Sequence, residues 1–306
     1  MLYKSKHKMN IKPATVDFVL SAGIACRPAY HTQKLGMRMF ASPCDWMIVF
    51  SLEDWIHILE YEAEDMFQKS HIDEDKQYVV DERNGMVSMH HFNCAQSLDS
   101  QIPSFSRKMK KRAINTANAI SQSKSVGIVM NRIIRAEELV AFAERLCSLF
   151  TRTTFHILNV KDTPQQGVSV SYETEGERYV IQEVSFNDEH PLGREKSENE
   201  LFWLGNVQMW SKVLRQKFCI SERSVENNKL MQRLTAVESK VDSQISATEL
   251  MKIAVYSIHL PRLQKEMRYY RFMSHITWGK RRKKYKDKRK RIREEIRKYA
   301  SFLTCM

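Results

Sequence analysis

SVGIVMNRIIRAEELVAFAERLCSLFTRTTFHILNVKD, residues 125–162, decides the fold. SVGIVMNR is rich in β-branched and apolar residues and reads as a strand. AEELVAFAERLCSLF follows as an amphipathic helix with Cys147 on its apolar face, and TFHILNVKD is a second strand. VSVSYETEGERYVIQEVSF, residues 168–186, then reads as a hairpin turning about Glu175 and Gly176. ELFWLGNVQMWSKVLRQ, residues 200–216, closes the domain as a helix.

Working toward the N-terminus, SRKMKKRAINTANAISQS (106–123) is a helix with a basic start. QYVVDERNGMVSMHHF (77–92) predicts strand, Asn84-Gly85 turn, strand, a strong hairpin signal. SLEDWIHILEYEAEDMF (51–67) carries Leu52, Trp55, Ile56, Leu59 and Met66 at helical spacing, with Ser51 as the cap and Glu53 and Asp54 in the first turn. The apolar run over 15–21 is a buried strand ending near Gly23. ACRPAYHTQKLG (25–36) is a short helix closed by Gly36. Helices and strands alternate and then a β pair follows, so the class is α/β or α+β. The predicted organisation is a mixed domain over 12–222, a heptad-like linker over 223–250 and an aromatic-basic helical tail over 251–306. The linker signal is Leu230, Leu234, Val237 and Val241, barely two heptads.

The chain has 306 residues and 42% hydrophobic content, enough for a packed core. Its formal charge of +13 is unevenly spread. Residues 280–298, from Lys280 to Lys298, hold 13 basic and 3 acidic side chains, a net of +10, leaving about +3 for the rest. Cysteines 26, 44, 94, 147, 219 and 305 form no CxxC pair, so neither a disulfide framework nor a structural zinc site is expected. Free thiols fit a reducing compartment. The apolar run from Val16 to Ile24 is too short and too interrupted for a secretory signal. No stretch approaches the roughly 18 apolar residues of a membrane span. The expectation is a cytoplasmic protein without cofactor or metal.

SAGIACRPAY (21–30) gives a small-residue turn, a cysteine and then a helix start, since Pro28 fits only a first helical turn. A helix N-terminus favours a thiolate, and a histidine would serve as its base. A buried core cysteine is the commoner fate of a free thiol. His90 and His91 end the hairpin strand, and adjacent strand residues face opposite ways, so one of the two can easily face Cys26.

LSAGIACRPAYHTQKLGMRMFASPCDWM (20–47) resembles the opening block of the papain-like cysteine peptidase family of unsettled activity. The resemblance rests on Ser21, Gly23, Cys26 and Ala29, then on Pro43, Cys44, Asp45 and Trp46, with Cys44 in a slot where the family has Phe. RNGMVSMHHF resembles its second block through His90 and Phe92. SFNDEHPLGREKSENELFWLGNVQMW resembles its third through Trp203, Gly205, Asn206 and Trp210. The likeness covers about residues 15–220. It implies a papain-like mixed domain with Cys26 as nucleophile and His90 as base. The orienting third residue stays open: Asp45 sits in the most distinctive block but precedes the histidine in the chain, and a loop carboxylate there also caps a helix or turn. Asp162 and Asp188 fit the papain order, and Asn93 lies too close to His90 in sequence.

The reaction expected from this site is thiol hydrolysis or acyl/amide transfer. A different class of reading is a non-peptidase, either a glycan-modifying transferase or an accessory protein of bacterial surface-polysaccharide (lipopolysaccharide or capsule) biosynthesis. WGKRRKKYKDK in the tail resembles C-terminal tails of such proteins, a short basic match of low specificity. A third reading is a scaffold that keeps the fold without activity. The tail itself, with Tyr269, Tyr270, Phe272 and Trp278 upstream of its lysines and arginines, fits an anionic membrane surface. The main domain has no recognisable element for reading nucleic acid. Placement is therefore expected in the cytoplasm, peripheral on the inner membrane face.

Overall fold

The computed structural model describes residues 11–165, 167–193, 201–222, 224 and 225, together with Asp287, Lys288, Lys290, Arg291 and Glu294. The elements are β1 (Ala14–Val16), β2 (Phe18–Ser21), α1 (Arg27–Lys34), β3 (Met47–Ile48), α2 (Leu52–Glu60), β4 (Ser70–Asp73), β5 (Tyr78–Asp81) and β6 (Val87–Ser88). They continue with α3 (Leu98–Gln122), β7 (Ser125–Met130), α4 (Ala136–Leu149), β8 (Thr154–Asp162), β9 (Ser169–Glu175), β10 (Tyr179–Phe186), a 3-10 turn (Phe202–Leu204), α5 (Val207–Lys217) and β11 (Phe218–Ile220). The class is mixed α/β, as the alternation predicted.

The main sheet runs β2-β7-β8-β10-β9. Its first four strands are parallel, and β9 pairs antiparallel with β10. Parallel strands covered on both faces bury both sets of alternating side chains. Phe18, Leu20, Ile128, Phe155 and Ile157 pack with Trp55, Phe105, Met109, Phe142 and Leu146 from α2, α3 and α4. Val19, Val129, Leu158, Val184 and Phe186 pack with Trp210, Val213 and Leu214 from α5. Each such side chain contributes about 1.5–3 kcal/mol when fully buried. A small sheet, β3-β6-β5-β4, lies outside this frame, and β1 pairs with β11 in parallel.

Four local features differ from the sequence expectation. The strand over 15–21 breaks at Asp17 into β1 and β2 because the Asp17 carboxylate accepts the Lys124 amide and the Ser221 and Ser224 hydroxyls. α2 starts at the expected Ser51 cap, which forms a capping box with Asp54, yet ends at Glu60 rather than 67. Beyond it Glu62 and Ala63 take positive φ, and the chain turns away from the helix axis. α3 starts at Leu98 rather than 106 and carries Pro103 inside it. β4 pairs with β5 in a hairpin whose turn, over 74–77, contains neither Gly nor Pro to announce it.

The chain divides into two units, Met1–Arg233 and Leu234–Met306. All of the heptad-like linker but Ser224 and Val225, and most of the basic tail, lie outside the described residues. Asp287, Lys288, Lys290, Arg291 and Glu294 are helical. Among the described residues no helix is long and apolar enough to cross a membrane.

Candidate active site

The site forms where open α/β sheets generally bind ligands, beyond the carboxyl ends of parallel strands. β2 ends at Ser21, whose carbonyl accepts the Trp55 indole N–H at 3.1 Å. The Ala22 amide still bonds to the Val129 carbonyl at 2.9 Å, so the next residues leave the sheet from a fixed point. Gly23 allows the tight exit. A Cβ there would meet Pro28 Cγ at 2.6 Å and Asn131 Oδ1 at 2.7 Å.

Arg132, at the end of β7, is buried and donates to the carbonyls of Ala22 (2.7 Å), Gly23 (3.3 Å) and Phe50 (2.6 Å). Its guanidinium also lies over the Phe50 ring at 4.7 Å. Burial lowers its pKa to about 10. This side chain pins the turn leading into Cys26.

Cys26 is the N-cap residue of α1, with Pro28 in the first turn, as expected. Its thiol is half-buried. Burial pushes the pKa up, its own backbone amide pulls it back, and the charge of Asp45 pushes it up again. The thiolate that the helix start was expected to favour is thus opposed by burial and by Asp45. The next residue, Arg27, donates to the Asp188 carboxylate at 2.5 Å and to the Trp203 carbonyl at 2.7 Å.

Asp45 is buried and fully engaged within its own loop. Its carboxylate accepts from Arg38 at 2.7 Å, from the Ser42 amide at 2.9 Å and from the Ser42 hydroxyl at 2.7 Å. These partners take up both oxygens, so Asp45 anchors the loop over 38–46 and is not bonded to His90. Its neighbour Cys44 is buried in the core, where desolvation pushes the thiol far up, in keeping with an apolar slot.

β6 ends at Ser88, so both histidines lie in the bend beyond the strand rather than on it. His91 shares a 3.1 Å hydrogen bond with the Ser88 hydroxyl and meets the Phe105 ring edge-on. His90 is exposed and lies edge-on to Trp46, with ring centroids 6.3 Å apart. The pairing Met47 to Ser88 brings Trp46 and His90 to the same end of the small sheet. The Val49 amide in turn bonds to the Ile24 carbonyl at 3.3 Å, two residues before Cys26. The segments carrying Cys26, Asp45 and His90 are thereby stitched together. Among the described residues no hydrogen bond joins the Cys26 sulfur to His90.

Of the other carboxylates, Asp162 accepts the Asp188 amide at 2.9 Å, and Asp188 itself pairs with Arg27. Asn93 accepts the Ala95 amide at 3.0 Å in a local turn. Sequence reasoning passed over Arg27 and His31. His31 is buried, bonds through Nε2 to the Leu204 carbonyl at 2.9 Å, and stacks on Trp210 at 5.1 Å. Burial lowers its pKa to about 4. The sequence signal for both was their place on the helix that Cys26 opens.

Residues 17–157 match the model of a family described as "Putative papain-like cysteine peptidase". That span takes in Cys26, Asp45 and His90 and ends before the third block at 185–210. It does not reach the basic tail. No curated protein and no solved structure matches the chain.

Proposed function

We propose that the protein is a thiol enzyme that cleaves or transfers an acyl group through a covalent intermediate on Cys26. The observation that carries the reading is Cys26 at the N-cap of α1, on the carboxyl edge of a parallel sheet, within a segment matching the papain-like family. His90 is the base, and substrate binding draws it from the Trp46 face toward the sulfur. Catalytic hydrogen bonds commonly tighten only in the substrate complex.

His90 removes the thiol proton as the sulfur attacks the acyl carbon and forms the C–S bond. The carbonyl oxygen takes the negative charge. The Cys26 amide supplies one donor to stabilise it. The oxyanion collapses, the bond to the leaving amine or alkoxide breaks, and His90 returns its proton to that group. The acyl-cysteine then passes its acyl group to water, or to another amine, with His90 as base again.

The test is a screen of the purified protein against acyl, amide and peptide donors, with Cys26→Ala and His90→Gln in parallel. Turnover should vanish in the first variant and fall about a hundredfold or more in the second. Turnover of a glycan donor that survives in Cys26→Ala would replace this reading with the polysaccharide-modifying one.

A further inference from the structure

Asp188 is 6% exposed and its carboxylate is fully engaged. One oxygen accepts from Arg27 at 2.5 Å; the other accepts from the Asn206 amide at 3.0 Å and the Trp210 indole at 2.7 Å. Gly205, with φ near +63°, closes the cage: a Cβ there would lie 2.2 Å from the carboxylate oxygen. Arg27 also reaches the carbonyls of Trp203 and Phe202 at 2.7 and 3.5 Å. Gly205, Asn206 and Trp210 of the third sequence block therefore hold Asp188, and Asp188 with Trp203 holds the side chain that follows Cys26.

We propose that Asp188 is a positioning residue for Cys26, acting through Arg27 to fix the N-terminus of α1. This rests on the reading of Cys26 as nucleophile. The third block then serves to aim the sulfur rather than to orient a histidine. Arg27 is the first residue of α1, so any shift of its side chain anchor is passed to the Cys26 amide and sulfur one peptide unit away. Burial raises the Asp188 pKa, while Arg27, the Asn206 amide and the Trp210 indole oppose the rise.

The experiment compares the wild type, Arg27→Lys and the double variant Arg27→Met/Asp188→Asn in the full chain. The double variant leaves neither a bare buried carboxylate nor a bare guanidinium, which limits the loss of stability. Each protein is alkylated with iodoacetamide at pH 8 and the rate at each cysteine is read by peptide mapping. Exposed Cys219 is the reference and half-buried Cys94 reports general loosening. The ratio of Cys26 to Cys219 rates should change about fivefold or more in the double variant, with Cys94 unmoved. Arg27→Lys, which keeps the ion pair, should stay close to the wild type. An unchanged Cys26 ratio in a folded double variant overturns the proposal, as does a change shared equally by Cys94. Should the double variant not fold, Arg27→Gln is read by the same two criteria. Alkylation needs no turnover. A wild type that never forms an acyl-enzyme thus removes the nucleophile reading and leaves the positioning test standing.

Discussion

At the scale of single residues, the thiols differ by their surroundings more than by their sequence context. Cys219 is exposed, Cys26 and Cys94 are half-buried, and Cys44 and Cys147 are buried. Among the described thiols, alkylation at neutral pH without substrate should reach Cys219 first and spare Cys44 and Cys147. Early labelling of Cys44 would contradict the core around it. Cys26→Ala should change unfolding free energy by less than about 1 kcal/mol, the range for a partly exposed site. Cys147→Ala should cost about 1 kcal/mol or more in urea unfolding, because it removes buried volume and the sulfur's contact with the Arg178 carbonyl. Val49 is a further test. It is β-branched, takes φ of +56° and is 53% exposed, beside the Cys26 turn. A left-handed L-residue costs roughly 1–2 kcal/mol, so Val49→Gly should raise stability by about 1 kcal/mol in the same measurement. A lower stability would mean that the side chain's packing outweighs the strain.

At the scale of elements, α1 and α5 each bury an ionisable group and contribute to the pH dependence of the fold. His31 has an ordinary pKa of 6.5, lowered to about 4 in the folded chain by burial. The unfolded chain binds the proton first, so this stabilisation is full above pH 6.5 and is lost as pH falls toward 4. Urea midpoints should drop across that window, and His31→Gln should flatten part of the drop. His156, lowered to about 4 by burial, supplies another part. Lys217 is buried, donates to the Gln182 and Lys12 carbonyl oxygens, and has its pKa lowered from 10.5 to about 8. Its neutral form is favoured by folding, so stability should climb from pH 8 to 10.5. In Lys217→Met that climb should disappear; its persistence would contradict the assignment. The alternation of α4, β7 and β8 was legible because each carries its own apolar period. The end of α2 was not, since Met66 continues the helical spacing while the chain turns through left-handed Glu62 and Ala63. Pro103 hid the first turns of α3. In the site, Cys26 at a helix start was legible from Pro28, whereas the Arg27–Asp188 pair joins residues 161 positions apart and leaves no local pattern.

At the scale of the whole molecule, the charge divides as the sequence does. About +10 of the +13 lies in residues 280–298, within the second unit. The proposal for this stretch is electrostatic attachment to an anionic membrane, worth about 1 kcal/mol per basic residue at the surface. Deleting 276–306 should leave the melting of the mixed α/β unit unchanged and abolish co-sedimentation with phosphatidylserine vesicles. In the intact chain that binding should weaken with added salt. Indifference to such vesicles at low salt would end the membrane proposal and favour an acidic protein partner. The centre of the account remains the sulfur on the carboxyl edge of the sheet. Its most direct test is to treat the full-length protein with a peptidyl epoxide, an electrophile that a cysteine nucleophile opens, and to map the adduct by mass spectrometry. The account predicts a single adduct on Cys26 that forms much more slowly in His90→Gln. An adduct on Cys219 with Cys26 left free, or equal labelling of Cys26 with and without His90, would contradict it.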